Sequence, residues 1–322
     1  MGAPDSGIGA VRAFLRPHVF LPVLLAAALV FFLLSISDLP TVLARIERIA
    51  PEAVVAGFGL TVAYLALKGA VLRTLLAGLG YPMGWRPFLL AFAVGELAVT
   101  VPSGVYAQNY VLSRLGVAPP GRSSAATTLM ILVETLVVMA VLSVLGIPGW
   151  DWLGPLMVGL ILIHVVGVAV VVESRSVRRW LGSVRGILRP LAGGALGMIH
   201  GVRHLGRSGR LWVAVGLTTA YLVLQGMGLL VVGRATGLEG LAPEQAVAIF
   251  FVALWVTLLV ASVLTQLGVI EAVALGAAQA YGYGLDEALA AILGYRVVWL
   301  GSVWLVCGGL VLRLHRELAS SG

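Results

Sequence analysis

Runs of apolar residues long enough to cross a lipid bilayer occupy most of this chain. They fall at 19–37, 52–72, 87–113, 123–147, 152–172, 211–233, 244–282 and 285–312. A helix rises 1.5 Å per residue and the hydrocarbon layer is about 30 Å thick, so roughly 20 apolar residues make one crossing. The composition agrees. Hydrophobic residues make up 60% of the chain and charged residues 11%, far from the roughly 45–50% and 25% of soluble domains. No segment between the runs is long enough to bury a core of its own. The expectation is an all-α polytopic membrane protein, one transmembrane domain over residues 1–322, without soluble chemistry carried on its loops.

Arg12 and Arg16 precede the first run, which is longer than a signal-peptide core and is followed by no evident cleavage site, so it reads as an uncleaved span. The net charge of +7 comes almost wholly from arginine. Most of it lies in a few connections between runs, which points to orientation toward anionic lipid rather than to nucleic acid. The single cysteine, Cys307, sits in the last run, so neither an internal disulfide nor a cysteine metal cluster is available.

Two runs are abnormal. The 87–113 stretch is interrupted at Val101-Pro102-Ser103-Gly104, and the 244–282 stretch is about twice the usual length and is interrupted near Thr265-Gln266-Leu267-Gly268. Broken helices at membrane depth are tolerated where protein or a water-filled cavity covers the freed backbone groups. Arginine placement decides how they cross. Arg12, Arg16, Lys68 and Arg73 put the N-terminus and the end of the second span inside, and the 173–210 connection, with eight arginines and one glutamate, belongs inside as well. That requires 87–113 to enter and leave from the cytoplasmic side as a re-entrant hairpin. A second hairpin at 244–282, open to the outside, returns Arg313 and Arg316 to the cytoplasm.

The result is six full spans plus two re-entrant helical hairpins, with both termini cytoplasmic in a cell (plasma) membrane. It contains an inverted pair: repeat A over 52–147 and repeat B over 211–312, separated by a linker span and a basic amphipathic segment over 152–210. Ser103-Gly104-Val105 and Leu267-Gly268-Val269 hold corresponding places in the two units. Inverted repeats with discontinuous helices characterise many secondary transporters, whose substrate site lies near the midplane. In the linker, Arg178, Arg185 and Arg189 fall on one helical face and Val184, Ile187, Leu188 and Leu191 largely on another, as in a helix lying in the headgroup layer, with Pro190 and Gly193-Gly194 breaking it.

Ionisable residues inside spans are costly and therefore functional candidates. Arg296 is about 16 Å into the span that starts near Leu285, and Glu134 reaches a similar depth from the other face. Glu96 and Glu271 flank the two breaks. Together with Pro102, Gln266 and Gly268 at the breaks themselves, these residues form the expected substrate-binding set. Each charged member also has a structural reading: Glu271 can satisfy N–H groups at the start of the returning half-helix, and Glu134 and Arg296 can be a packing ion pair. His164 reads as hydrogen-bonded to a neighbour, Gln225 similarly, and Lys68 and Arg73 as side chains that reach the interface. No nucleotide, hydrolase or metalloprotease motif occurs and the five histidines lack ligand spacing. No catalytic residue, metal or cofactor is expected.

Leu267-Gly268-Val269-Ile270-Glu271, followed by Ala288-Leu289-Ala290 and Tyr295-Arg296, resembles the second block of the lysylphosphatidylglycerol synthase transmembrane (flippase-like) family. Pro102 with Arg114-Leu115-Gly116 and then Glu134 is a fainter counterpart in the first half. The chain departs from the family pattern at Thr265-Gln266, around Tyr106-Ala107-Gln108-Asn109 and at Thr135, which points to a divergent branch with its own headgroup preference. It leaves no room for the soluble aminoacyl-transferase domain, so synthase activity is not expected. What the resemblance implies is movement or binding of membrane lipids with an anionic or polyprenyl-phosphate type of headgroup. The positive N-terminal end of the half-helix at Gly268 and the charge of Arg296 would face that headgroup, and the excess of carboxylates over arginine at one depth suggests proton linkage. A membrane-embedded transferase on polyprenyl-phosphate-linked sugars, or an accessory subunit beside a lipid-modifying enzyme, are the open alternatives.

Overall fold

The computed structural model describes residues 38–99, 104–183, 189–206, 208–260 and 268–320. The expected first span at 19–37, Pro102 and Gln266 lie outside the described residues. Among the described residues every regular element is helical: α1 (Leu39–Glu47), α2 (Pro51–Gly78), α3 (Trp85–Ala98), a 3-10 turn (Gly104–Tyr106), α4 (Ala107–Arg114), α5 (Pro120–Leu145), α6 (Leu153–Glu173), α7 (Arg175–Ser183), α8 (Arg189–Gly206), α9 (Arg210–Ala235), α10 (Pro243–Val260), α11 (Val269–Ala280) and α12 (Leu285–Ser320). Five of these are long and apolar enough to cross a bilayer: α2, α5, α6, α9 and α12 over Leu285–Leu314. They coincide with five of the six full spans expected.

Prolines and glycines set the boundaries. Pro51 and Pro120 open α2 and α5 from the first turn, where the missing N–H is no loss. Gly146, with φ +63°, ends α5, and Gly268, with φ +86°, precedes α11; both conformations favour a residue without Cβ. Pro190 behaves in the same way at the start of α8, which then runs unbroken through Gly193 and Gly194. The expectation that Gly193-Gly194 break a helix is corrected by that continuity; the segment before Pro190, residues 184–188, lies outside the described residues. A proline blocks a helix from within but not from its first turn.

α2 and α9 are the central pair, and they run antiparallel. Position 57 of α2 faces Val232, Tyr64 meets Tyr221 with ring centroids 5.6 Å apart, and position 78 faces Arg210. Around this pair the packing is crosswise, with α12 on α3 and α5 on α10. The arms of each broken segment also pack on one another, α3 on α4 and α10 on α11. A Cβ at Gly104 would collide with the carbonyl oxygen of Ala98, and one at Gly95 would lie 2.9 Å from the Gln108 side-chain oxygen, so the chain doubles back tightly.

The ends of the helices cluster by charge. Gly201 of α8 touches both Leu79, just past α2, and Ala125, near the start of α5, so the chain between α2 and α5 leaves from and returns to one end. At the opposite end, Tyr281 donates to the carbonyl of Gly146 (3.1 Å), and Gly294 lies against Thr236 and Ile49. The chain between α9 and α12 returns there. α1 lies at that end too: Arg45 pairs with Glu287 (3.2 Å) and donates to the carbonyl of Thr236 (3.3 Å).

Small residues on the central helices allow close approach. Gly226 and Gly69 hold the same place in α9 and α2, yet their surroundings differ. A Cβ at Gly226 would lie 2.8 Å from Val247 Cγ2 and 3.0 Å from its Cα, whereas one at Gly69 would make ordinary contacts of 3.6 Å with Phe92. Gly226→Ala is expected to destabilise by about 1–3 kcal/mol through overpacking against backbone. Gly69→Ala should be neutral or stabilising, since alanine is the better helix former. Thermal unfolding of both variants in detergent checks the difference; equal loss would mean that the α9–α10 contact is not limiting.

Candidate functional site

Charged and aromatic side chains from both halves meet midway along the bundle. Lys68 of α2 is buried (6% exposed) and pairs with Glu96 of α3, Nζ to Oε1 at 2.9 Å, while also donating to the hydroxyl of Tyr64 at 2.8 Å. That hydroxyl donates in turn to Glu96 Oε2 at 3.1 Å, closing a triangle. Spacing explains it: Tyr64 and Lys68 are four residues apart and so share a face of α2. The expectation that Lys68 reaches the interface is corrected by its burial. Arg73, further along the same helix, does lie toward the end of the bundle, its guanidinium 3.6 Å from the ring centroid of Trp85.

Tyr221 of α9 extends the network. Its ring packs edge-on against Tyr64, and its hydroxyl donates to Glu134 of α5. Glu134 is buried and makes no salt bridge with any described residue; Lys68 and Glu96 are close enough to act on it electrostatically. On the other side of Tyr64, Trp299 of α12 lies 6.3 Å away between centroids, and the Arg296 guanidinium sits 5.0 Å from the Trp299 ring. Arg296 Nε donates to Glu271 Oε1 at 2.8 Å, and the second oxygen of Glu271 accepts the backbone N–H of Gly268 at 2.6 Å. Glu271 therefore caps its own half-helix and holds Arg296 at once.

The structure thus brings Glu96, Glu134, Glu271, Gly268 and Arg296 into one buried chain of contacts, and adds Tyr64, Lys68, Tyr221 and Trp299, which the charge-based reading missed. A signal for them is present in the sequence. Residues 60–69 read Leu-Thr-Val-Ala-Tyr-Leu-Ala-Leu-Lys-Gly and residues 217–226 read Leu-Thr-Thr-Ala-Tyr-Leu-Val-Leu-Gln-Gly, placing Tyr64 opposite Tyr221 and Lys68 opposite Gln225. His164, by contrast, only hydrogen-bonds the carbonyl of Leu160 one turn back, at 2.8 Å.

Several buried donors have no partner among the described residues. Arg296 Nη2, Trp299 Nε1, Trp255 Nε1 and the Tyr295 hydroxyl are buried and unpaired among the described residues. Three of the four can only donate. Tyr295 and Trp299 line a small cavity with Thr61, Tyr64 and Gln225, offering about 10 Å³ to the centre of a water molecule. That is room for about one water. Among the described residues these donors lack acceptors, so an oxygen-bearing group is what they can bind, and the cavity as it stands admits one no larger than about a water molecule. No cluster of metal-ligating side chains occurs among the described residues.

A family model described as Lysylphosphatidylglycerol synthase TM region matches residues 19–307 of the chain. No curated protein matches it.

The two ion pairs are expected to behave as couples. Lys68→Met leaves Glu96 buried and unpaired, and Arg296→Met does the same to Glu271; each should cost about 3–5 kcal/mol. The double variants Lys68→Met/Glu96→Leu and Arg296→Met/Glu271→Leu should recover most of that loss. Double-mutant cycles on unfolding in detergent measure this coupling, and additive losses would show that the pairs do not interact.

Proposed function

The chain belongs to the lysylphosphatidylglycerol synthase TM region family, and from that premise we propose that it binds the headgroup of an anionic or lipid-phosphate lipid at the bundle centre and carries it between leaflets. The observation that carries this reading is the shortage of acceptors around Arg296. A buried guanidinium with one arm held by Glu271 and another unpaired is a seat for a phosphate oxygen. The indole of Trp299 and the hydroxyl of Tyr295, also unpartnered, add donors beside it. The N-terminus of α11 contributes less than its dipole alone would suggest, since Glu271 already occupies it.

The two halves are inverted repeats, α2 to α5 and α9 to α12, with the broken segments as re-entrant hairpins open to opposite faces. The antiparallel α2 and α9, their matching tyrosine segments, the crosswise packing and the return of each broken segment to the end it left support this arrangement. The end bearing Arg73, Arg122, Arg175 and Arg210 faces the cytoplasm of the plasma membrane, and the end bearing Glu52, Glu244, Asp286 and Glu287 faces out. Both chain termini are then cytoplasmic. Among the described residues, no cation pairs directly with Glu134, so a proton is its available counter-charge and lipid movement is proton-linked. Carrying a headgroup past Arg296 brings a new negative charge into the same low-dielectric space, which strengthens the demand for that proton.

The test is translocation of a fluorescent phosphatidylglycerol across vesicles reconstituted with purified protein, with and without a pH gradient. Wild type should move the lipid and respond to the gradient. Arg296→Gln should slow movement on the order of tenfold or more, because a charge-assisted contact is lost, and Glu134→Gln should retain movement but lose the response to pH. Movement unchanged in Arg296→Gln would remove the headgroup role. Turnover of a polyprenyl-phosphate sugar by the purified protein would favour a transferase instead.

A further inference from the structure

α6 belongs to neither repeat, and α5 and α8 are the long helices it packs against. Along this seam runs an apolar groove of about 240 Å³. Leu129 and Leu132 of α5, Gly167 and Val171 of α6, and Ile199 and Val202 of α8 line it. The groove follows α6 from Gly167 to Val172, about 8 Å of helix axis, and ends one residue before Glu173, where the arginine-bearing connection begins. Its α5 wall is turned away from the central site, since Leu132 and Glu134 are two residues apart and so point some 200° apart around the helix.

The rim at that end is basic. Arg178 donates to the carbonyl of Val172, the last lining residue of α6. Arg203 of α8, one residue from Val202, pairs with Glu173 at 3.1 Å, yet its Nε is buried with no partner among the described residues. On α7, Arg175, Arg178 and Arg179 share one face while Val177, exposed Trp180 and Leu181 share the opposite one, the pattern of a helix lying at the level of lipid headgroups. A hydrocarbon slot that opens onto a cluster of arginines, one with an idle donor, matches the two ends of one molecule.

We propose that this groove binds an anionic phospholipid as a resident ligand, with an acyl chain between α5, α6 and α8 and the phosphate at Arg203 and the α7 arginines. The lipid is held at the periphery and is not the translocated one. It joins α6 to the repeats and fixes α7 against the headgroup layer. Its occupant is a lipid rather than a polar solute because nothing along the groove wall except Thr128 offers a hydrogen-bonding side chain.

Native mass spectrometry of the full chain, titrated in detergent with phosphatidylglycerol or phosphatidylcholine, tests the assignment. Wild type should retain one phosphatidylglycerol and prefer it to phosphatidylcholine. A Cβ at Gly167 meets nothing within 4 Å, so Gly167→Leu fills the groove without disturbing the fold. It should lower affinity for both lipids by about tenfold or more. Gly159→Leu, equally open but outside the groove, should change nothing. Arg203→Gln should weaken phosphatidylglycerol about fivefold and leave phosphatidylcholine unchanged. Arg296→Gln should leave this binding intact, which separates it from the central site. The proposal is overturned if wild type holds both lipids equally, if Gly167→Leu retains lipid as wild type does, or if Gly167→Leu changes the oligomeric mass instead of lipid retention, which would make the groove an interface between copies.

Discussion

Hydrocarbon offers a buried charge nothing to bind, so every ionised group that this chain places at mid-depth must find its partner inside the protein. Lys68 finds Glu96 and Arg296 finds Glu271. The rest of the central packing serves those meetings. α3 has to reach back to α2, and α11 to α12, which is why both broken segments fold onto the spans beside them. Glycine at 57 and 228 lets α12 approach α2 and α9 closely, through Val298 and Tyr295, and Tyr64, Tyr221 and Trp299 fill the space between the two pairs. Such pairs are weak contributors to stability compared with apolar packing of the same volume. Their presence at the centre is better explained by what they hold ready than by what they stabilise.

The spans were legible because length and hydropathy follow directly from the thickness of the bilayer. Glu271 and Arg296 were legible because counting residues placed them at one depth beside a break. Lys68 was misread for a specific reason. An apolar run ending at residue 72 put it near the surface, but the helix continues to Gly78, and ten more residues place Lys68 about 15 Å below that end. Tyr64 and Tyr221 carry no charge and so escaped a search for intramembrane ions, although the repeated segment around them was there to be aligned. α1 is short and amphipathic, and a hydropathy scan for spans passes over it. Its anchoring to Asp286, Glu287 and Thr236 depends on tertiary contacts with α9 and α12 that local sequence does not reveal.

α5 separates two kinds of environment, one polar and one apolar. One face presents Glu134 to Tyr221 and the charged centre; the other presents Leu129 and Leu132 to the groove beside α6. A polar centre and an apolar periphery on one helix have different requirements. On the proposed function the centre would have to open to admit a headgroup, whereas the periphery gains rigidity from being filled. An acyl chain lodged against α6 would brace the outer face of α5 and leave the inner face free to respond to charge.

The most informative feature of the two halves is where they fail to match. Residues 60–69 and 217–226 differ only at 62 and 219, 66 and 223, and 68 and 225. Of these, the pair that is buried in both helices is Lys68 and Gln225. A neutral amide in α9 stands where α2 has a cation, and the carboxylates follow the same asymmetry. Glu96 lies on the first arm of its broken segment, Glu271 on the second. The two segments match closely in sequence, but the charges around them do not. On the proposed function, a ligand at the centre would be held by Arg296 on one side and meet the closed triangle of Lys68, Tyr64 and Glu96 on the other. If the halves exchange conformations as inverted repeats do, the exchange does not restore the same electrostatic environment. Lipid would then, on the proposed function, be held more firmly in one state than in the other, and the Lys-for-Gln mismatch with the displaced carboxylates would give its movement a direction.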